Sequence, residues 1–261
     1  MQSLFLRGIY SEMGIPGDLN SGAMSDAVGL AHRKLVREIF GSVSKIDEIR
    51  AHHGVTVEAL LVNGFFNVTG HRRAEIVSIT AKDQTGSGPN GGPTKGMIKF
   101  EIENIDGSQS EVTATVKASS ADRVSVAEFS ARTIASSIGL TDPETIKLME
   151  KHQRDCSAKH FSDDEKLRLT EGLKSYRRKL AYWAMTGSSS ASSGNSDIPS
   201  IAIRFLLADN EGVPWPHFAE VLTMEDMVSR ILQSSAGFGT GFSWTYATGT
   251  AGEKIQLKGP V

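Results

Sequence analysis

The strongest constraint on the fold is a pair of alternating segments on either side of Asp106-Gly107. Residues 98–103 alternate apolar with charged side chains, and residues 112–117 alternate apolar side chains with Thr or Lys. Successive side chains of a strand point to opposite faces, and Asp-Gly is a preferred hairpin turn. The pattern therefore predicts an antiparallel hairpin over Lys95–Ala118, with one apolar face that helices must cover.

Helical periodicity dominates most of the remaining chain. The segments predicted as helices include Ser25–Phe40, Thr56–Leu61, Asp122–Ile138 and the very apolar Ser200–Ala208, and Phe65–Thr69 and Ala74–Lys82 are predicted as further strands. Arg204 lies inside an apolar run, so it needs a carboxylate or phosphate partner, and an internal ion pair is favoured. The predicted fold class is α+β, mostly helical with a small antiparallel sheet in the middle of the chain.

Two helix starts lie close together in the stretch Asp142–Thr186. Asp142 followed by Pro143 is typical of a first helical turn, and Ser162 with Glu165 forms a capping box. After the capping box, apolar residues recur at spacings of four and three as far as Trp183. This spacing predicts one long amphipathic helix with an apolar stripe to bury.

Positive charge is concentrated on the other side of this predicted helix. From Lys151 to Thr186 there are nine Lys or Arg residues and five Asp or Glu residues, although the whole chain has a net charge of −2. One interpretation is a nucleic-acid-binding face with an aromatic ring that stacks on a base. The alternative is the solvated back of a helix whose other side is buried. The candidate residues are Arg168, Lys174, Arg177, Arg178, Lys179 and, for stacking, Tyr182.

Glycine- and serine-rich segments suggest how the chain is divided. The predicted parts are an N-terminal arm (1–23), an α+β core (24–186), a Gly/Ser linker (187–197), a C-terminal helical part (198–236) and a Gly/aromatic tail (237–261). The apolar arm and the aromatic tail either contact a neighbouring subunit or pack back onto their own domain. The candidate subunit contacts are Leu4, Phe5, Leu6, Phe238, Phe242, Trp244 and Tyr246.

No familiar catalytic motif is present. The glycine-rich segment Asp83–Thr94 lacks the P-loop spacing, so it is predicted to be an exposed, mobile loop, as is Ser188–Ser196. A single cysteine, Cys156, excludes an internal disulfide. No catalytic residue, metal site or cofactor is predicted. Without a signal peptide or membrane span, the expected location is the cytoplasm or a virion.

These features favour a self-assembling structural protein that packages nucleic acid, similar in architecture to a viral coat or nucleocapsid protein, rather than an enzyme. Its expected partners are copies of itself and possibly single-stranded nucleic acid such as RNA, without a membrane. One alternative is a non-catalytic assembly or binding subunit that binds no nucleic acid. The other is an enzyme whose site has no recognisable motif.

Overall fold

The computed structural model describes residues 8, 9, 12, 21–52, 54–84, 97–187, 198–210 and 213–260. The described helices and strands, in chain order, are α1 (Ser21–Ile39), α2 (Val43–Ala51), α3 (Val57–Thr69), β1 (Ile76–Asp83), β2 (Met97–Asn104), β3 (Gln109–Ser119), β4 (Arg123–Phe129), α4 (Ala131–Ile138), α5 (Pro143–Asp155), α6 (Asp163–Lys174), α7 (Arg177–Thr186), β5 (Ile201–Asn210), β6 (Val213–Thr223), α8 (Met224–Gln233), β7 (Ser243–Thr245) and β8 (Ile255–Pro260). The chain forms two compact units, one from Met1–Asp122 and Ser196–Met224 and the other from Arg123–Asn195 and Glu225–Pro260.

The first unit is built on a five-stranded mixed sheet with the strand order β1-β2-β3-β5-β6. Strands β3 and β5 are parallel, and the other neighbours are antiparallel. Helix α1 packs on β1 and β3, and α3 packs on β6. Three phenylalanines, Phe40, Phe65 and Phe100, meet in the core with ring centroids 4.7–5.1 Å apart. The helices thus cover the apolar face of the predicted hairpin, which is confirmed as β2 and β3.

The second unit contains a three-stranded antiparallel sheet with the order β4-β8-β7, together with α4 to α7 and α8 from Glu225 onward. Both predicted helix starts are confirmed. The Asp142 side chain accepts a hydrogen bond from the Thr145 N–H at 2.8 Å, and both hydrogen bonds of the Ser162–Glu165 capping box are present. Within the predicted Gly/aromatic tail, β7 and β8 pair as antiparallel strands.

The single long helix predicted after Ser162 is wrong. It is divided into α6 and α7 at Ser175 and Tyr176, where the Tyr176 N–H donates to the Leu173 carbonyl only three residues earlier. Both helices still bury the predicted stripe, because Leu173 and Leu180 on either side of the break are fully buried. The stripe predicted from the apolar periodicity was therefore correct. The periodicity does not reveal that one turn of the helix changes its hydrogen bonding and so interrupts the helix.

Three other segments have a different secondary structure from the predicted one. Residues 65–69, predicted as a strand, form the end of α3, and the predicted helix Asp122–Ile138 begins as strand β4 before α4. Ser200–Ala208, predicted as a helix, lies mostly in β5, where it pairs with β3 and β6. A short apolar run fits a buried strand as well as a buried helix, so pairing with neighbouring strands decides which of the two forms.

The predicted fold class is consequently wrong. The main sheet has five strands, includes a parallel pair, and draws β5 and β6 from the part of the chain predicted to be helical (198–236). The two compact units also cut across the predicted 24–186 core at residue 122. In the predicted arm, Ile9 lies buried in the core of the first unit. The predictions of mobile loops at Asp83–Thr94 and Ser188–Ser196 fall almost entirely outside the described residues. None of the described helices is long and apolar enough to cross a membrane.

Candidate functional site

The face of the five-stranded sheet opposite the core helices is polar. This follows from the alternation along each strand, which sends Ile98 and Ala114 to the core and their neighbours to the other side. Ion pairs connect neighbouring strands on this face. The charged and hydroxyl residues at these alternate positions are Ser78, Thr80 and Lys82 of β1, Lys99, Glu101 and Glu103 of β2, Glu111, Thr113, Thr115 and Lys117 of β3, Arg204 of β5 and Glu220 of β6.

At one end of this face two glutamates, Glu101 and Glu111, stand directly opposite each other. Like charges in this position repel, but each has a lysine partner: Lys82 Nζ lies 2.7 Å from Glu101, and Lys99 Nζ lies 2.8 Å from Glu111. The hydrogen bond from Lys82 lowers the pKa of the Glu101 carboxyl group. A polar cavity of about 390 Å³ opens beside these pairs. Glu103 also lines this cavity and accepts a hydrogen bond from the Ser78 hydroxyl, so this end of the sheet carries one acid more than its two lysines.

Arg204 and Glu220 form an ion pair on the same face. The Arg204 side chain is only 4% exposed, and its Nη1 donates to Glu220 Oε2 at 2.5 Å. The internal partner favoured for Arg204 is therefore confirmed. Because the guanidinium is buried with a carboxylate, the pair contributes no net charge next to β3.

On the helix-covered side of the sheet, Arg33 and Arg37 of α1 form an ion-pair group with Asp83, which pairs with the core residue Ile98 in the strand register. Asp83 forms an ion pair with both arginines: Arg33 Nε lies 3.7 Å from its Oδ1, and Arg37 Nη1 lies 2.8 Å from its Oδ2. Lys117 is partly buried and has neither a hydrogen-bond nor an ion-pair partner within the described parts of the chain. Two arginines thus share one carboxylate in this group, whereas Lys117 lies at an alternate position on the polar face.

The electrostatics of Lys117 are unusual for a lysine. Burial, and to a smaller degree the positive charge of Arg33, lower the pKa of its ammonium group to about 8. Desolvation destabilises the charged form, and a like charge nearby acts in the same direction. Strongly shifted pKa values are concentrated at functional sites, so Lys117 is the leading candidate for a functional side chain of the first unit.

The predicted basic face on α6 and α7 is mostly neutralised by acids of the same unit. Arg168 lies 2.9 Å from Asp164, Lys174 lies 3.3 Å from Glu171, and Arg178 pairs with Glu225. Arg177 donates to the Leu232 carbonyl at 2.8 Å, and the Lys179 ammonium lies 5.9 Å from the Tyr176 ring. Tyr182, the residue proposed to stack on a base, is buried, and its hydroxyl donates to Glu225. Phosphate binding by the five basic residues remains a prediction.

The aromatic residues of the tail pack mainly within the second unit. Phe242 is fully buried and Trp244 nearly so, whereas Tyr246 is 49% exposed. Phe238 contacts His152 and Trp244, with ring centroids 5.7 and 5.4 Å away. The alternative of packing back onto the parent domain therefore holds for Phe242 and Trp244. The other candidate contacts, Leu4, Phe5 and Leu6, lie outside the described residues.

Comparison with known proteins gives consistent matches along almost the whole chain. The family model described as "Restriction endonuclease MspI" matches residues 67–259. The type II restriction enzyme MspI of Moraxella sp. is 32% identical over 269 residues, covering 99% of this chain and 100% of the enzyme. The chain belongs to the MspI restriction endonuclease family. The crystal structure of restriction endonuclease MspI in complex with its cognate DNA has a TM-score of 0.86 at 29% identity, covering 99% of this chain and 100% of that one.

Membership of the MspI family corrects the functional predictions made from the sequence. A viral coat or nucleocapsid-like structural protein is wrong, and so is the prediction that the chain is not an enzyme, because the family is one of DNA-cleaving enzymes. The predicted partners, copies of itself and single-stranded nucleic acid, are also contradicted by the MspI complex with cognate DNA. Basic side chains, an apolar arm and an aromatic tail are shared by too many proteins to identify a capsid.

Sequence reasoning overlooked both Lys117 and the ion-pair group of Arg33, Arg37 and Asp83. Arg33 and Arg37 are spaced by one helical turn, and Lys117 ends a run of Val, Thr and Ala in β3, so weak signals were present. Asp83 was treated only as the start of a glycine-rich loop. These residues come from three elements that the chain does not place next to each other, and no spacing rule connects them.

Proposed function

We propose that this protein is an endonuclease that cuts DNA at a specific base sequence. The observation that carries the proposal is the match to MspI over 99% of the chain, both in sequence and in a structure solved with cognate DNA. Lys117, on the polar face of the sheet, supplies the side chain best suited to act on a phosphodiester in the first unit.

Lys117 can contribute to hydrolysis in two ways. In this reaction water adds to phosphorus, the bond to one sugar oxygen breaks, and the leaving oxygen takes up a proton. An ammonium group in a poorly solvated position stabilises negative charge that develops on the phosphate oxygens. With a pKa of about 8, it can also donate a proton to the leaving oxygen near neutral pH.

Divalent cations assist many nucleases, where they are held between carboxylates and the phosphate of the substrate. The described residues contain no group of three or more His, Cys, Asp or Glu side chains that could hold a metal ion. Asp83 is held by two arginines on the helix-covered side of the sheet, and the sequence from 85 to 96 contains no Asp or Glu. Asp83 therefore does not fit as a ligand for a divalent cation beside Lys117.

The experiment is to incubate the purified protein with supercoiled plasmid, in one series with Mg²⁺ and in another with EDTA. We expect linear DNA with discrete ends in at least one series, and sequencing of the ends should return one short recognition sequence. Lys117→Met should remove cleavage while the circular dichroism spectrum is retained. The matched control is Lys82→Met, a lysine on the same sheet face that is paired with Glu101.

Two results would contradict the proposal. One is intact plasmid in both series together with equal affinity for DNA duplexes of unrelated sequence. The other is cleavage that Lys117→Met and Lys82→Met leave equally unchanged, which would move the chemistry away from Lys117.

A further inference from the structure

We propose that no divalent cation is held beside Lys117, and that this chain cleaves DNA at the same rate in EDTA as in Mg²⁺. The second half rests on the proposed function, whereas the first half rests only on the side chains that surround Lys117. A hard divalent cation needs several oxygen ligands close to one point, and carboxylates normally supply the negative charge among them. The described residues around Lys117 offer threonine hydroxyls and cations instead.

The neighbours of Lys117 in the sheet are the first argument. Lys117 pairs with Arg204 of β5 in the strand register, and the two preceding positions on the same face of β3 are Thr115 and Thr113. Both threonines are buried. A neutral hydroxyl group can complete the coordination of a cation, but it does not supply the charge that binds it. Among the described residues, these strand positions next to Lys117 therefore carry no carboxylate.

The acids of the polar face are the second argument. Glu220 lies one strand beyond Arg204 and is paired with it at 2.5 Å. Turning this carboxylate towards a metal ion would leave a buried guanidinium unpaired, which is strongly unfavourable. Glu111 precedes Lys117 by six residues on β3. At roughly 3.3 Å per residue this is a separation of about 20 Å, which metal–oxygen bonds of about 2.0–2.6 Å do not span.

The end of β1 and the segment that follows it are the third argument. Asp83 lies on the helix-covered side of the sheet, where Arg33 and Arg37 hold its two oxygens. The sequence from 85 to 96, which joins β1 to β2, contains no Asp or Glu. Arg33 also places positive charge close enough to act on the Lys117 ammonium group. A divalent cation beside Lys117 would be repelled by the same charges.

The first measurement uses Mn²⁺ as the probe and does not depend on activity. Mn²⁺ accepts the oxygen ligands that suit Mg²⁺, and its unpaired electrons broaden the NMR signals of nearby nuclei. Lysine side-chain signals are followed while Mn²⁺ is added to the protein, and the signal lost in Lys117→Met is assigned to Lys117. Lys82 provides the internal comparison, because it lies beside the glutamates that line the polar cavity.

We expect the Lys117 signal to broaden no more than the Lys82 signal, without saturation at stoichiometric Mn²⁺ and without recovery when Mg²⁺ is added. A cation bound beside Lys117 would broaden the Lys117 signal first and to saturation, and excess Mg²⁺ would restore the signal. That result would refute the inference, because an acid from outside the described residues would then supply the ligand.

The second measurement compares the initial rates of plasmid cleavage in Mg²⁺ and in EDTA at equal ionic strength. We expect rates that agree within about twofold, whereas removal of a catalytic cation would slow cleavage on the order of a hundredfold or more. A nuclease with a known Mg²⁺ requirement, incubated in the same EDTA buffer, shows whether chelation is complete.

The outcomes separate this inference from the proposed function. Cleavage in Mg²⁺ but not in EDTA refutes the inference and leaves the endonuclease activity standing. Equal rates in both buffers, with no saturable Mn²⁺ response at Lys117, support both. Intact plasmid in both buffers contradicts the proposed function and the second half of the inference. The Mn²⁺ titration then decides the first half alone: a saturable response at Lys117 refutes it, and the lack of such a response retains it.

Discussion

Replacing Lys117 with methionine should stabilise the folded protein while it removes activity. The perturbation deletes a charge that the folded state solvates poorly and keeps a side chain of similar length. A fall in pKa from 10.5 to about 8 corresponds to a penalty of about 3 kcal/mol at neutral pH, since a tenfold change in an ionisation constant is worth about 1.4 kcal/mol. Because part of the side chain contacts water, we expect Lys117→Met to raise the free energy of unfolding by about 1–3 kcal/mol.

The lowered pKa of Lys117 also determines how the stability difference between the variant and the wild type changes with pH. Below pH 8 the lysine is protonated in both the folded and the unfolded chain, so the wild type carries the full penalty. As the pH rises from about 8 to 10.5, the folded protein loses the proton first, and the free energy of unfolding of the wild type increases towards that of the variant. The stability difference should therefore be largest at neutral pH and disappear above pH 10.5.

Urea denaturation over this pH range provides the assay, with Lys82→Met as the control. Lys82 is 63% exposed and pairs with Glu101 at the surface, so its removal should change the free energy of unfolding by less than about 1 kcal/mol. If Lys117→Met is less stable than the wild type at neutral pH, or if its stability difference is the same at every pH, the account of a desolvated, repelled ammonium is refuted.

Three further predictions concern the second unit. A Cβ atom at Gly172 would lie 2.1 Å from Thr145 Oγ1, so Gly172→Ala should lower the free energy of unfolding by about 1–3 kcal/mol in urea denaturation, whereas Gly172→Ala combined with Thr145→Ala should recover most of the loss. Ser162→Ala removes the N-cap of α6 and should lower the free energy of unfolding by about 1 kcal/mol, which is measured as a lower melting temperature. Ser162→Asp keeps a capping side chain and should leave the melting temperature unchanged. If the basic residues of α6 and α7 contact DNA, the double variant Lys174→Ala and Arg178→Ala should reduce the slope of log K against log salt for duplex binding by the amount expected for about two phosphate contacts. An unchanged slope would mean that these two side chains only form ion pairs with acids of the same unit.

The charge distribution explains why the functional prediction failed. Counting lysines and arginines located a basic segment, but Glu225 holds both Arg178 and Tyr182, and Lys151, Lys166, Arg168 and Lys174 each have an acid close by. At Asp83 the opposite holds, since two arginines share one acid. A charge count along the chain records neither situation, because both depend on which acids come close in space.

The sequence by itself determined the features that depend on near neighbours. Alternation around Asp106-Gly107 was sufficient for the β2–β3 hairpin, and the caps at Asp142 and Ser162 were visible because capping residues act within three positions of each other. The apolar stripe through Leu173 and Leu180 was also correct, since burial follows helical periodicity even where the helix is interrupted.

Only the tertiary structure decided the features that depend on distant partners. Ser200–Ala208 became a strand because β3 and β6 offered backbone partners on both sides, whereas its apolar composition suited a helix equally well. Lys117 became unusual because folding placed it in a poorly solvated position near Arg33 of α1. Pairing of strands, desolvation and electrostatic repulsion act through space, so a residue's position in the chain does not reveal them.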